Sequence, residues 1–209
     1  MQLGSKPNEL LVLLTLNMAI LLWGFSGLFG KWVDVNALNL TFWRMSIAWA
    51  ALAVFYMLRK RSFKGLGDRS LIWKNILCGI LLAVHWFCFF KVIQLSTVAM
   101  GIVFSASFVF MVAVLEPILL KIKPNPFIIA TALVGSSVLI ITMSLQAEAG
   151  DPIIWFYGIL TAACLAAISL FTRGVMVDTD PVDCITAQLF YGSVALALLA
   201  LVGSDFNLG

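Results

Sequence analysis

Apolar positions in this chain are not spaced with the period of two that a half-buried strand would show. They form long unbroken runs separated by short polar joints: Leu10–Gly30, Val35–Leu58, Leu71–Phe90, Thr97–Leu120, Phe127–Leu145, Ile153–Thr172 and Val182–Val202. Each run has 19 to 24 residues, enough for a helix rising about 1.5 Å per residue to cross a hydrocarbon core about 30 Å thick. In lipid every backbone N–H and C=O must be bonded within the protein, which leaves helix bundles and closed barrels, and barrel strands need only about 10 alternating residues. The pattern therefore predicts an all-α membrane protein, a polytopic helix bundle with about seven transmembrane helices.

Composition agrees. With 62% hydrophobic residues, 11% charged and a mean hydropathy of +1.06, the chain has far too little polar surface to cover a water-soluble fold. The thirteen Lys and Arg residues then set an orientation. With the N-terminus in the cytoplasm, Lys6, Arg59, Lys60, Arg61, Lys64, Arg69, Lys74, Lys121, Lys123 and Arg173 face inward, only Lys31 and Lys91 face outward, and Arg44 lies inside the second span. The positive-inside rule favours that arrangement over its inverse. A basic run beside a helix end is a topology signal before it is a nucleic-acid site, so no nucleic acid partner is expected. The first run is too long for the h-region of a cleaved signal peptide and no A-x-A-like site follows it. Cys78, Cys88, Cys164 and Cys184 show no C-x-x-C pairing and read as small core residues, with neither disulfide framework nor metal site.

Shifting the chain against itself by 143 residues places Ser26 on Ser169, and brings Lys31, Asp34 and Arg44 each within a residue of Arg173, Asp178 and Gln188. The sixth span then repeats the first. An odd number of helices per unit makes the two copies cross in opposite senses, the inverted arrangement of many secondary transporters. The expected organisation is a first five-helix unit over residues 1–147 and a partial second unit of two helices over 148–209. Two complete units need ten helices, so the second repeat is incomplete.

The stretch Leu22-Trp23-Gly24-Phe25-Ser26, the Phe42-Trp43-Arg44 of the second span with its basic tail, the run from His85-Trp86 through Phe89-Phe90-Lys91 to Gln94-Leu95-Ser96, and Glu116-Pro117 together resemble a bacterial member of the EamA branch of the drug/metabolite transporter superfamily. The resemblance spans nearly the whole chain. It implies an inner-membrane transporter with ten helices in two inverted repeats around a central cavity, moving metabolites, amino acids or drugs. The present chain departs from that pattern in having seven of the ten helices.

Ionisable groups inside a span cost about 2.5–3.5 kcal/mol on insertion scales and are functional candidates by default. Arg44 lies nine residues into its run, about 14 Å deep, with small residues at Ala37, Ala48 and Ala51 on one side of its helix. It is the candidate anchor for a substrate carboxylate; a structural Arg bonded to helix-end carbonyls is the plainer alternative. His85 is either a proton-coupled or substrate-binding group or a satisfied packing residue. Trp23, Phe108, Tyr191 and Gln188 are further candidates for an apolar cavity with a few polar groups. Glu116 and Pro117 are a candidate gate or hinge, with pairing of Glu116 to Lys121 or Lys123 as the bland reading. No acidic residue lies within the first apolar run, which argues against proton-for-cation exchange early in the chain.

No H-E-x-x-H, paired membrane carboxylates or Ser–His arrangement is present, and the seventh span has no Lys for a retinal Schiff base. The expected function is a secondary transporter, an exporter of small organic metabolites or drugs working by alternating access, with no enzymatic activity and no cofactor. A structural or assembly membrane protein, or an inactive fragment of a ten-helix transporter, is the alternative. Expected partners are the lipid bilayer and a small organic solute, with a homodimer left open. The expected location is the bacterial inner membrane, N-terminus cytoplasmic.

Overall fold

A computed structural model describes residues 9–59, 69–123, 125–145, 151–175 and 179–202, and every described element is a helix or a short joint. The helices are α1 (Glu9–Trp32), α2 (Ala37–Leu58), α3 (Arg69–Leu95), α4 (Val98–Ala106), α5 (Phe108–Leu119), α6 (Pro126–Ser144), α7 (Pro152–Val175) and α8 (Pro181–Val202). Among the described residues six helical bodies are long and apolar enough to cross a bilayer, α4 and α5 counting together as Val98–Leu119. The 19-residue apolar α6 is the seventh helical body. The polytopic helix bundle expected from the apolar runs is thus the observed fold. Lys6, Lys60, Arg61 and Lys64 of the basic belt, Asp178 of the self-match and the proposed unit boundary at 147/148 lie outside the described residues.

Helix starts follow local chemistry. Asn36 Oδ1 accepts from the Asn39 N–H at 2.8 Å, and Thr97 Oγ1 from the Met100 N–H at 3.2 Å, each satisfying a donor that the first turn leaves open. Three later helices repeat one device. Asn125-Pro126, Asp151-Pro152 and Asp180-Pro181 place a carboxamide or carboxylate before a proline at the first helical position, and the side chain takes the N–H of Phe127, Ile153 or Val182 at 3.0, 2.9 and 2.8 Å.

Span four is where the sequence pattern and the structure part. One apolar run becomes α4 and α5, broken at Ser107, whose hydroxyl donates to the Phe104 carbonyl at 2.6 Å and whose own N–H is shared between Val103 and Phe104 carbonyls at 3.1 and 3.2 Å. A serine bonding back into its own turn bends a helix, and hydropathy does not register it.

Helix α3 is the axis of the bundle and its most buried span, whereas α1 is almost wholly exposed. Gly27 and Gly30 of α1 lie against Phe89, Phe90 and Ile93, so α1 and α3 run the same way. Helix α7 runs against α3, with Trp73 beside Phe171 and Phe87 beside Tyr157. Helix α8 runs with α3 and crosses it backbone to backbone. A Cβ on Gly79 would stand 2.6 Å from the Gln188 carbonyl oxygen, and one on Gly192 would stand 2.7 Å from the Gly79 oxygen. Small residues at such a crossing replace hydrophobic drive, which lipid does not supply, with close backbone packing. Helix α2 lies antiparallel to α8, with Trp49 on Phe190 and the Tyr56 hydroxyl donating to Asp183. Three apolar clusters fill the interior: Met45 with Leu82, Ile168, Leu189 and Leu196; Val92 with Met100, Phe104 and Ile154; Ala37 with Phe89, Phe90 and Ile93.

Candidate functional site

Arg44 leaves the first half of α2 toward α3, not toward lipid. Its guanidinium carbon lies 3.6 Å from the Trp86 ring centroid and 5.8 Å from that of Phe90. Trp86 and Phe90 are one turn apart on α3 and stacked, with centroids 6.0 Å apart and planes at 28°, so they form a continuous aromatic wall beneath the cation. The ring quadrupole attracts the charge by about 0.5–2 kcal/mol, set against an insertion cost of about 2.5–3.5 kcal/mol. The wall therefore offsets only part of the cost. Among the described residues the ion pair found is Glu116–Arg173, and no carboxylate lies within ion-pair distance of Arg44. The ring contact uses none of the guanidinium N–H groups as a carboxylate would, and those are the groups that bind a carboxylate with two parallel bonds.

His85 stands next to this wall, its ring 5.1 Å from Trp86 and 6.4 Å from Phe89. It is fully buried and faces α7. The Thr161 hydroxyl donates to the His85 carbonyl at 2.9 Å. That spends the one hydroxyl proton, so the imidazole Nδ1–H is the donor to the Thr161 carbonyl, also at 2.9 Å. The two residues clasp α3 to α7 through both backbone and side chain.

The remaining candidates are dispersed. Gln188 is buried on α8, and its backbone oxygen faces Gly79. Tyr191 is half-buried, its ring 5.4 Å from Phe190 and its Cβ toward Gly79. Phe108 begins α5 just past the break, half-buried. Trp23 lies on α1 with 39% of its surface exposed. The structure thus brings Arg44 and His85 to one aromatic wall and sets Trp23 and Phe108 on other helices. Trp86, Phe90 and Thr161 are the site residues that sequence reasoning passed over. The i, i+4 spacing of Trp86 and Phe90 was a usable signal; Thr161, one threonine within an apolar run, carried none.

Glu116, near the end of α5 and followed by Pro117, pairs with Arg173 at the end of α7, not with Lys121 or Lys123. The contact brings Oε1 to Nη1 without the alignment of a hydrogen bond. Lys121 instead ends the helix in the left-handed region, at a φ of 52°.

A helical integral membrane protein with an inward-turned cation in its second span is the class these features define. The EamA-like transporter family model matches residues 10–143, well over half of the 209-residue chain, and the chain belongs to that family. It is a membrane transporter of the drug/metabolite transporter superfamily. No curated protein and no solved structure matches it.

Proposed function

We propose that the protein is a secondary transporter of small organic solutes carrying an anionic group, with Arg44 as the anchor for that group. The observation that carries this reading is the Arg44 guanidinium over the Trp86 ring within a membrane span, with no carboxylate in ion-pair reach among the described residues. A cation held over an aromatic wall is already positioned, so binding an anion at its N–H groups costs little further ordering. His85, held by Thr161, supports the reading as a residue that fixes the wall from behind. Transport is by alternating access in the export direction across the bacterial inner membrane, with the N-terminus cytoplasmic. Support for two inverted units comes from the helix senses: α1 and α7 run oppositely, as do α2 and α8.

The test is counterflow in proteoliposomes with a panel of organic anions, cations and neutral solutes. Anions are expected to exchange, and Arg44→Lys, which keeps the charge but loses the planar fork, is expected to lower exchange about tenfold or more, the equivalent of about 1.4 kcal/mol. Equal exchange by wild type, Arg44→Lys and Arg44→Gln at matched expression would make Arg44 a structural residue bracing α2 on α3.

A further inference from the structure

Helix α5 is bounded at both ends by interruptions of the helical hydrogen-bond ladder. It starts at the Ser107 break and ends at Lys121 in the left-handed region. Within it, Pro117 supplies no N–H to the carbonyl of Ala113, which removes one rung of the ladder just before the end. A short rod with a joint at each end can tilt as a unit. Its packing face is suited to that. Against α7 it meets Ala163, Ala166, Ala167 and Leu170 across a groove of about 480 Å³, with Met111 and Leu115 on its own side. Alanines give a smooth surface with little interdigitation, and the groove is space not filled by side chains.

Next to Leu115 of that groove, Glu116 of α5 makes an ion pair with Arg173 of α7. The Glu116 side chain is 14% exposed and that of Arg173 is 64% exposed. A carboxylate so shielded is costly to leave unpaired, whereas the arginine can be solvated. The pair therefore favours the closed position and opens by releasing Arg173 to water.

We propose that α5 is a gate helix hinged at Ser107, and that Glu116–Arg173 is its latch, tying the fourth span to the sixth on the side where α1 begins. The proposal rests on the alternating-access reading above and specifies which element moves.

The experiment uses the full chain in proteoliposomes with its four native cysteines replaced by alanine and Ala166→Cys as reporter, since Ala166 is 1% exposed and lines the groove. A water-soluble maleimide is applied to the latch side. Glu116→Gln is expected to raise the labelling rate about tenfold, Arg173→Gln likewise, and the charge exchange of Glu116→Arg with Arg173→Glu to return it toward the starting value. Unchanged labelling in both single variants would overturn the gate, as would a failure of the exchange to restore protection. If Glu116→Gln does not fold, Arg173→Gln breaks the same pair at an exposed side chain and decides the question. Labelling is read without transport, so faster labelling with no organic-anion exchange by the parent protein would reject the anion-exchange reading and leave the latch standing.

Discussion

At the scale of single residues, the fate of a polar side chain in this bundle depends on whether it finds a partner on another helix. Ser26, Thr41, Ser96 and Ser193 return their hydroxyls to carbonyls of their own turns at 2.5–2.8 Å and so need nothing from outside. Thr161 does not. Its hydroxyl reaches across to the His85 carbonyl, and its own carbonyl takes the imidazole N–H. Thr161→Val keeps the shape and removes the hydroxyl, so the bundle should lose about 0.5–1.5 kcal/mol, the net worth of one hydrogen bond to a carbonyl that keeps its partner within α3. Thermal unfolding of the detergent-solubilised protein measures this, and an unchanged midpoint would show that the clasp contributes nothing. Arg44 is the opposite kind of residue, met by rings instead of an acceptor. Its depth was legible in the sequence from its position within the second apolar run. The direction of its guanidinium was not, because the wall that receives it belongs to α3, and the register of α2 on α3 is set by packing across Ala37, Phe89, Phe90 and Ile93.

At the scale of helices, length and type follow from the apolar runs, and the starts follow from capping residues that can be read directly, such as Asp151-Pro152 and Asp180-Pro181. The break in the fourth span could not be read that way. Ser105-Ala106-Ser107-Phe108 contains neither Gly nor Pro, and both serines are compatible with a continuous membrane helix. In the fold, the Phe104 ring lies on Gly158 with Trp155 edge-on at 5.3 Å, and the helical ladder is interrupted three residues later at Ser107. The α3–α8 crossing is a second feature of pairs and not of single helices. Either Gly79 or Gly192 alone is an ordinary membrane glycine; together they bring two backbones into contact. Gly192→Leu should force the helices apart and cost about 1–3 kcal/mol by overpacking, read as a lowered unfolding midpoint. Gly135, where a Cβ would meet nothing within 4 Å, should accept leucine with little change. Equal sensitivity at the two glycines would remove the argument from close approach.

At the scale of the whole molecule, charge predicts an orientation in the membrane. A reporter fused after Lys64 is expected on the cytoplasmic side and one fused after Asp151 on the external side, because ten of the thirteen basic residues then face inward. External labelling of a cysteine placed between residues 59 and 69 would reverse the topology and, with it, the side on which the α5 latch opens.

The polytopic helix bundle, the approximate ends of its helices and the family resemblance were legible in the sequence alone. Each depends on local quantities: transfer of a run of side chains into lipid, capping of a first turn, charge beside a span. Tertiary structure alone decided that α3 is the axis, that Arg44 rests on Trp86, that Thr161 answers His85, and that Glu116 takes Arg173 in preference to the nearer Lys121 and Lys123. Those outcomes join residues distant in sequence, and in a bilayer the lipid-facing and helix-facing sides of an apolar helix are chemically alike. Hydropathy therefore shows that a helix is buried in the membrane, while only packing selects which of its sides meets which neighbour.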